Sequence, residues 1–167
     1  MRIALIGPES TGKSTLAKQL AQRLGLPYVE EYARNYVEQL GRPYNYQDVE
    51  NIARRQCLEV QHDGVFDTEL LLTKVWFNDK YGTCPQWLEE AISTWPMDFY
   101  LLLSPDLPFV PDPVRENPDR REELFETYRR EVIRLGIPYS VVSGQGDDRL
   151  KCALNALKAL TAPSTGL

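Results

Sequence analysis

The stretch Gly7-Pro8-Glu9-Ser10-Thr11-Gly12-Lys13-Ser14-Thr15 meets the spacing G-x-x-x-x-G-K-[ST] at each fixed position. Phosphate chemistry explains each fixed residue type. Gly12 lets the backbone bend closely around a polyphosphate, so that successive N–H groups point inward. A helix starting near Lys13 adds the positive end of its dipole. Lys13 reaches the outer phosphates, and Ser14 supplies a hydroxyl oxygen to Mg²⁺. The bland alternative is a chance match in a glycine turn. Against it, the pattern directly follows the apolar run RIALI (2–6) and opens a helix-spaced segment, which is the context the motif requires. The expectation is a nucleoside triphosphate held by Gly7, Glu9, Ser10, Thr11, Gly12, Lys13, Ser14 and Thr15.

Other residues with chemistry to offer fall after the later strand-like runs. In EEYARNYV (30–37), Glu31 and Arg34 are three apart and share a helical face. There the carboxylate can take a hydroxyl proton and the guanidinium can fork onto a substrate oxygen, or the two are a plain surface ion pair. In FDT (66–68), Asp67 closes a short apolar run where an acid can serve Mg²⁺ or act as a base. Asp67 and Thr68 are equally suited to capping the next helix. The stretch 105–119 has five prolines and carries Arg115, with Arg120 and Arg121 directly after it, suited to a lid whose arginines meet a transferring phosphoryl group. The competing reading pairs Arg120 and Arg121 with Glu123 or Glu126 on a solvated helix. SGQGDDRL (143–150) is a polar turn able to pass under an adenine ring, or a simple strand–helix connection.

The elements that must position these groups alternate in type. Strands are expected at 2–6, 26–30, 64–68, 98–104 and 138–143. Helices are expected at 13–25, 31–41, 46–61, 68–82, 85–94, about 119–135, and 147–160. Leu16, Leu20 and Leu24, spaced four apart and closed by Gly25, show the helical period most clearly. Short strands alternating with helices imply an α/β fold with a parallel, helix-covered sheet, whose ligands bind beyond the carboxyl ends of the strands.

Composition narrows the class of function. In 167 residues, 19 Lys and Arg against 24 Asp and Glu leave a net charge of −5, which argues against a nucleic-acid partner. Apolar runs such as LLL at 70–72 and 101–103 are too short to span a bilayer, so no membrane partner is expected. The start of the chain reads as a first strand and not as a signal peptide. Cys57, Cys84 and Cys152 are odd in number and widely spaced, as in a reduced, cytoplasmic protein. His62 in QHDG reads as a surface residue before a turn. Residues 1–161 are expected to form one domain, and 162–167 a disordered tail.

Taken together, GPESTGKSTL (7–16), EEYARNYV (30–37), FDTELLLTKVW (66–76) and FVPDPVRENPDR (109–120) resemble the nicotinamide riboside kinase domain of bacterial NAD-synthesis proteins, among the P-loop kinases of small metabolites. The resemblance implies transfer of the ATP γ-phosphate to the 5′-hydroxyl of nicotinamide riboside, with ATP and Mg²⁺ as the cofactors. It implies a P-loop NTPase three-layer sandwich with strand order 2-3-1-4-5 and a short arginine-bearing lid. Carried over residue by residue, Lys13, Glu31, Asp67, Arg115 and Arg120 serve catalysis, and Ser14 and Asp67 the metal. Glu31, Tyr32, Arg34, Tyr36, Asp67 and Thr68 lie on the acceptor side. There are two departures from the family pattern. Met1 opens the first strand, so the adenylyltransferase domain that precedes the kinase in bifunctional relatives is expected to be absent. Glu30 stands where those relatives tend to carry a tryptophan able to stack on a flat ring, leaving Tyr32, Tyr36, Trp76 and Phe109 as candidates. A kinase for another nucleoside or nucleotide, a hydrolase, and a nucleotide sensor remain as alternatives. The sensor would bind ATP without turnover, and the hydrolase would need no acceptor.

Overall fold

β1 (Arg2–Ile6), β3 (Gly64–Asp67) and β4 (Phe99–Leu103) form the middle of a parallel sheet, with β2 (Tyr28–Val29) and β5 (Tyr139–Val142) at its edges. The strand order is β2-β3-β1-β4-β5, as expected. This computed structural model describes residues 1–161, and the expected tail at 162–167 lies outside the described residues. RIALI and FYLLL have almost no polar face to turn to water, so they must be covered on both sides. The pleat divides them. Ile3, Leu5, Val65, Leu101 and Leu103 face α1 (Lys13–Leu24) and α7 (Gly146–Thr161), meeting Leu16, Leu20 and Ala153. Ala4, Ile6, Phe66, Tyr100 and Leu102 face the opposite layer. That layer holds α3 (Tyr46–Glu59), α4 (Leu70–Tyr81), α5 (Gln86–Thr94) and α6 (Arg121–Leu135). The short α2 (Tyr32–Gln39) follows β2 and packs on α3.

Several boundaries differ from expectation, and those nearest the site do so for local reasons. β2 is only two residues long. Leu26 N–H is used by the C-terminal cap of α1, donating to Ala21 at 3.1 Å, and Pro27 has no N–H to give. β3 stops at Asp67 because Thr68 turns into the left-handed region (φ 70) and donates its N–H to the Leu5 carbonyl at 3.1 Å. Consequently α4 begins at Leu70 and not at 68. α6 begins at Arg121, with Arg120 as its N-cap. Among the described residues no helix is long and apolar enough to cross a membrane.

The parallel arrangement brings four strand ends to one edge. There lie the 7–12 turn after β1, Glu31 after β2, Asp67 at the end of β3, and the 104–120 segment after β4. That last segment contains neither helix nor strand.

Candidate active site

The turn after β1 is shaped by two glycines. Gly7 adopts φ 144, and a Cβ there would stand 2.7 Å from the Leu103 carbonyl oxygen. Gly12 (φ 78) is the N-cap of α1, with no side chain closing the helix end. The first-turn N–H groups therefore point at the cradle with the dipole behind them. Thr11 is 1% exposed and closes the turn by donating to the Pro8 carbonyl at 2.9 Å. Ser10, at φ 57, holds a conformation that costs a non-glycine residue about 1 kcal/mol. The Arg121 guanidinium clamps the outer side, donating to the carbonyls of Glu9 (3.1 Å), Ser10 (3.1 Å) and Leu107 (2.8 Å). With those carbonyls held outward, the N–H groups of the turn are left facing in.

Lys13 folds back along the turn, its ammonium donating to the carbonyls of Gly7 (2.9 Å) and Pro8 (2.8 Å). Burial pushes its pKa below the usual lysine value, against the pull of Glu31, Asp67 and Glu9. Glu31, the N-cap of α2, is shifted up by burial and by Asp67, while Lys13, Arg34 and Arg115 hold it down. Solvent still reaches a quarter of its side chain (25% exposed), which moderates the rise. Arg34 is 3.7 Å from Glu31 through Nε, and its Nη1 donates to Asp112 at 2.6 Å. The expected pairing of Glu31 and Arg34 therefore exists, and Arg34 also ties α2 to the segment after β4.

Asp67 is 1% exposed. Its Oδ2 accepts from the Tyr28 hydroxyl at 3.4 Å, while its Oδ1 and the Thr68 hydroxyl have no hydrogen-bond partner among the described residues. Orphaned buried oxygens at the strand ends beside Lys13 fit a hard cation or its water shell. Among the described residues no cluster of three or more His, Cys, Asp or Glu is gathered for a metal. An ion here would thus be held mainly by substrate phosphates, with Ser14 and Asp67 as the protein's share.

Two cavities meet at this edge. One is wrapped by the turn and carries Ser14, Thr15 and Arg115. The other is lined on its far side by Val37, Tyr44, Val75, Trp76 and Tyr128. Glu9, Lys13, Glu31, Arg34 and Val114 line both. Trp76 and Tyr44 meet edge-on with ring centroids 4.9 Å apart, Trp76 Nε1 donates to the Tyr44 hydroxyl at 3.2 Å, and that hydroxyl donates to Glu116 at 2.7 Å.

Not every expected residue comes to the cavities. The Tyr36 hydroxyl donates to Asp48 at 3.2 Å, and Tyr32 packs on Tyr36 with Arg55 over its ring. Both tyrosines thus belong to the α2–α3 contact, and Phe109 and the buried Asp67 and Thr68 also lie outside both cavity linings. Arg120 is turned to Asp79 (2.6 Å) and Glu123 (2.7 Å), so its lid role is not formed in this arrangement. The sequence reading missed Tyr44, which sits in a loop with no periodic signal. It also missed the second duty of Gly7 against β4.

The comparisons with known proteins agree with this geometry. The chain is 27% identical over 153 residues to the trifunctional NAD biosynthesis/regulator protein NadR of Escherichia coli (strain K12), covering 80% of this chain and 37% of that protein. It therefore spans little more than a third of that relative's length. Among solved structures, a NadR protein in complex with NR superposes with a TM-score of 0.79 at 23% identity, over 99% of this chain and 52% of that one. Deoxyadenosine kinase from M. mycoides, with products bound, gives 0.57 at 16% identity over 96% of this chain and 100% of that one. At these identities the solved structures speak for the fold alone. A profile of the family described as an AAA domain matches residues 2–149, and over that span the chain belongs to this AAA-domain family of P-loop proteins.

Proposed function

We propose that this chain is a Mg²⁺-ATP-dependent phosphotransferase that moves the γ-phosphoryl group of ATP to the 5′-hydroxyl of nicotinamide riboside, with residues 1–161 acting as one cytoplasmic catalytic unit. One observation carries the reading: a phosphate-loop cavity opens into a second, aromatic-walled cavity across a shared wall of Lys13, Glu31 and Arg34. A hydrolase needs no second chamber, and a sensor needs no carboxylate at the junction. The likeness to NadR, named for NAD biosynthesis and solved with NR, supports the choice of acceptor. The flat faces of Tyr44 and Trp76 support it too, since Glu30 offers none.

In this reaction the acceptor hydroxyl oxygen bonds to the γ-phosphorus while the bond to the β,γ-bridging oxygen breaks, and ADP leaves with that electron pair. Glu31, at the junction, takes the hydroxyl proton, and its raised pKa makes it a better base than a solvated carboxylate. Lys13 and Arg115 face the charge that develops on the transferring group. Arg34 orients the acceptor. Bound Mg²⁺ would neutralise phosphate charge beside Ser14 and Asp67. The Val114 side chain, shared by both cavities, helps exclude water from the junction.

The deciding experiment is ADP release from Mg²⁺-ATP with and without nicotinamide riboside, with Lys13→Ala as the blank. ADP that forms only with the riboside, matched by nicotinamide mononucleotide, is the expected result. ADP that forms equally without an acceptor would replace this reading with a hydrolase.

A further inference from the structure

We infer that Glu9 and Ser10, at two unconstrained positions of the phosphate loop, are positioning residues that seat the 104–120 segment on the loop and thereby hold Arg115 in the phosphate cavity. The phosphate chemistry of the motif dictates its glycines, lysine and terminal hydroxyl but leaves residues 8 to 11 open. A carboxylate in a turn built to receive a polyanion works against that purpose unless its charge is directed elsewhere. Here it is. Glu9 Oε1 accepts from the backbone N–H of Glu116 and Oε2 from that of Asn117, both at 3.0 Å. Each is a hydrogen bond to an ionised acceptor, stronger than a neutral pair.

Ser10 makes the second attachment. Its hydroxyl accepts from the Val110 N–H at 3.1 Å and lies 3.4 Å from the Val110 carbonyl, to which it can donate. The left-handed backbone at Ser10 is what turns this hydroxyl outward to the segment. The two attachments, at 110 and at 116–117, bracket Arg115, whose guanidinium donates to the Val110 carbonyl and lines the phosphate cavity. Between 104 and 120 no helix or strand ladder fixes the main chain. The position of Arg115 is therefore set by side-chain anchors: these two, Asp112, which Arg34 holds, the Leu107 carbonyl, which Arg121 holds, and Glu116, whose carboxylate meets Tyr44 and Lys80. Glu9 and Ser10 belong to the rim that organises the cradle, acting on phosphate through Arg115.

The kinetic part of the test rests on the proposed kinase reaction, whereas the exchange part does not. Amide hydrogen exchange is measured at Glu116 and Asn117 in the wild type, Glu9→Ala, Glu9→Gln and Ser10→Ala, alongside thermal midpoints. Steady-state kinetics are measured with Mg²⁺-ATP and nicotinamide riboside for Glu9→Ala, Arg115→Ala and the double variant. Expected are exchange at 116 and 117 at least tenfold faster in Glu9→Ala, with amides in the strands unchanged, and kcat tenfold to hundredfold lower with KM for ATP within about threefold. The double variant should be no slower than Arg115→Ala alone, because Glu9 acts through Arg115. Unchanged exchange at 116 and 117 would overturn the inference, whatever the acceptor. So would losses that multiply in the double variant, or a raised KM for ATP at constant kcat, which would make Glu9 a nucleotide ligand. A wild type inactive on the riboside would refute the proposed function instead, and the exchange result would then decide the inference alone.

Discussion

Glu69 offers a sharp test of the electrostatics beneath the site. It is 2% exposed, it stands at the N-cap of α4, and its Oε1 has no hydrogen-bond partner among the described residues. Burial pushes its carboxyl up from 4.5 to about 7, partly offset by the N–H groups of Leu71 and Leu70 and the Tyr100 hydroxyl. Between those two values the folded protein keeps a proton that the unfolded chain has released. Stability therefore falls as pH rises through that window, and the penalty is complete above it. At about 1.4 kcal/mol per pH decade, the span from 4.5 to about 7 is worth about 3 kcal/mol. Glu69→Gln removes the titration while keeping a carbonyl acceptor of the same shape. Urea unfolding of wild type and variant at pH 4.5, 6 and 8, without nucleotide, isolates the effect because other titrating groups cancel in the difference. Relative to wild type, the variant should gain about 3 kcal/mol between the lowest and highest pH, which is about 10 °C in Tm for a chain of this size. A difference that stays flat across the range would mean that Glu69 ionises normally in the folded protein, and the burial argument would fail.

Three further outcomes follow from the geometry. Gly7→Ala should cost about 3 kcal/mol in chemical denaturation, because its Cβ would stand 2.7 Å from the Leu103 carbonyl at a φ of 144; a loss under about 1 kcal/mol would show that the turn can move off β4. Glu31→Gln should lower kcat by about a hundredfold or more and abolish the acidic limb of its pH profile. In the wild type that limb lies above the ordinary glutamate range, since the raised carboxyl must lose its proton before it can act; an unchanged limb in the variant would assign the base elsewhere. Trp76→Ala should raise KM for the acceptor by about tenfold and leave KM for ATP alone, since Trp76 lines only the cavity proposed for the acceptor; equal effects on both would point to a folding defect.

Local signals carried much of this architecture. The phosphate loop was legible because its chemistry dictates residue types at fixed spacing. The strand order became readable only through the family resemblance, since RIALI and FYLLL say that they are buried but not beside which neighbour. Tyr44 was invisible for a different reason. Its partners are Trp76 and Glu116, 32 and 72 residues away, and its own loop has no period from which a face can be assigned. The second cavity's aromatic wall is thus a tertiary fact, assembled from Trp76 of α4, Tyr44 of the loop before α3 and Tyr128 of α6.

The adjacent arginines 120 and 121 show where a stricter sequence argument would have succeeded. Resemblance to a lid motif favours Arg120, but helical phase favours Arg121. The buried positions of α6 are Leu124, Phe125, Tyr128 and Val132, whose gaps of one, three and four keep them on one inward face. Stepping back three from Leu124 and four from Phe125 lands on Arg121, so its side chain must leave the helix on the core side. There it finds the carbonyls of Glu9 and Ser10. Arg120 is offset by about 100° on the same helix wheel and meets Asp79 and Glu123 at the surface instead. A cation on an otherwise apolar stripe, one turn before the core begins, must find buried acceptors. In this chain the phosphate loop's outward carbonyls and that of Leu107 are the acceptors it meets.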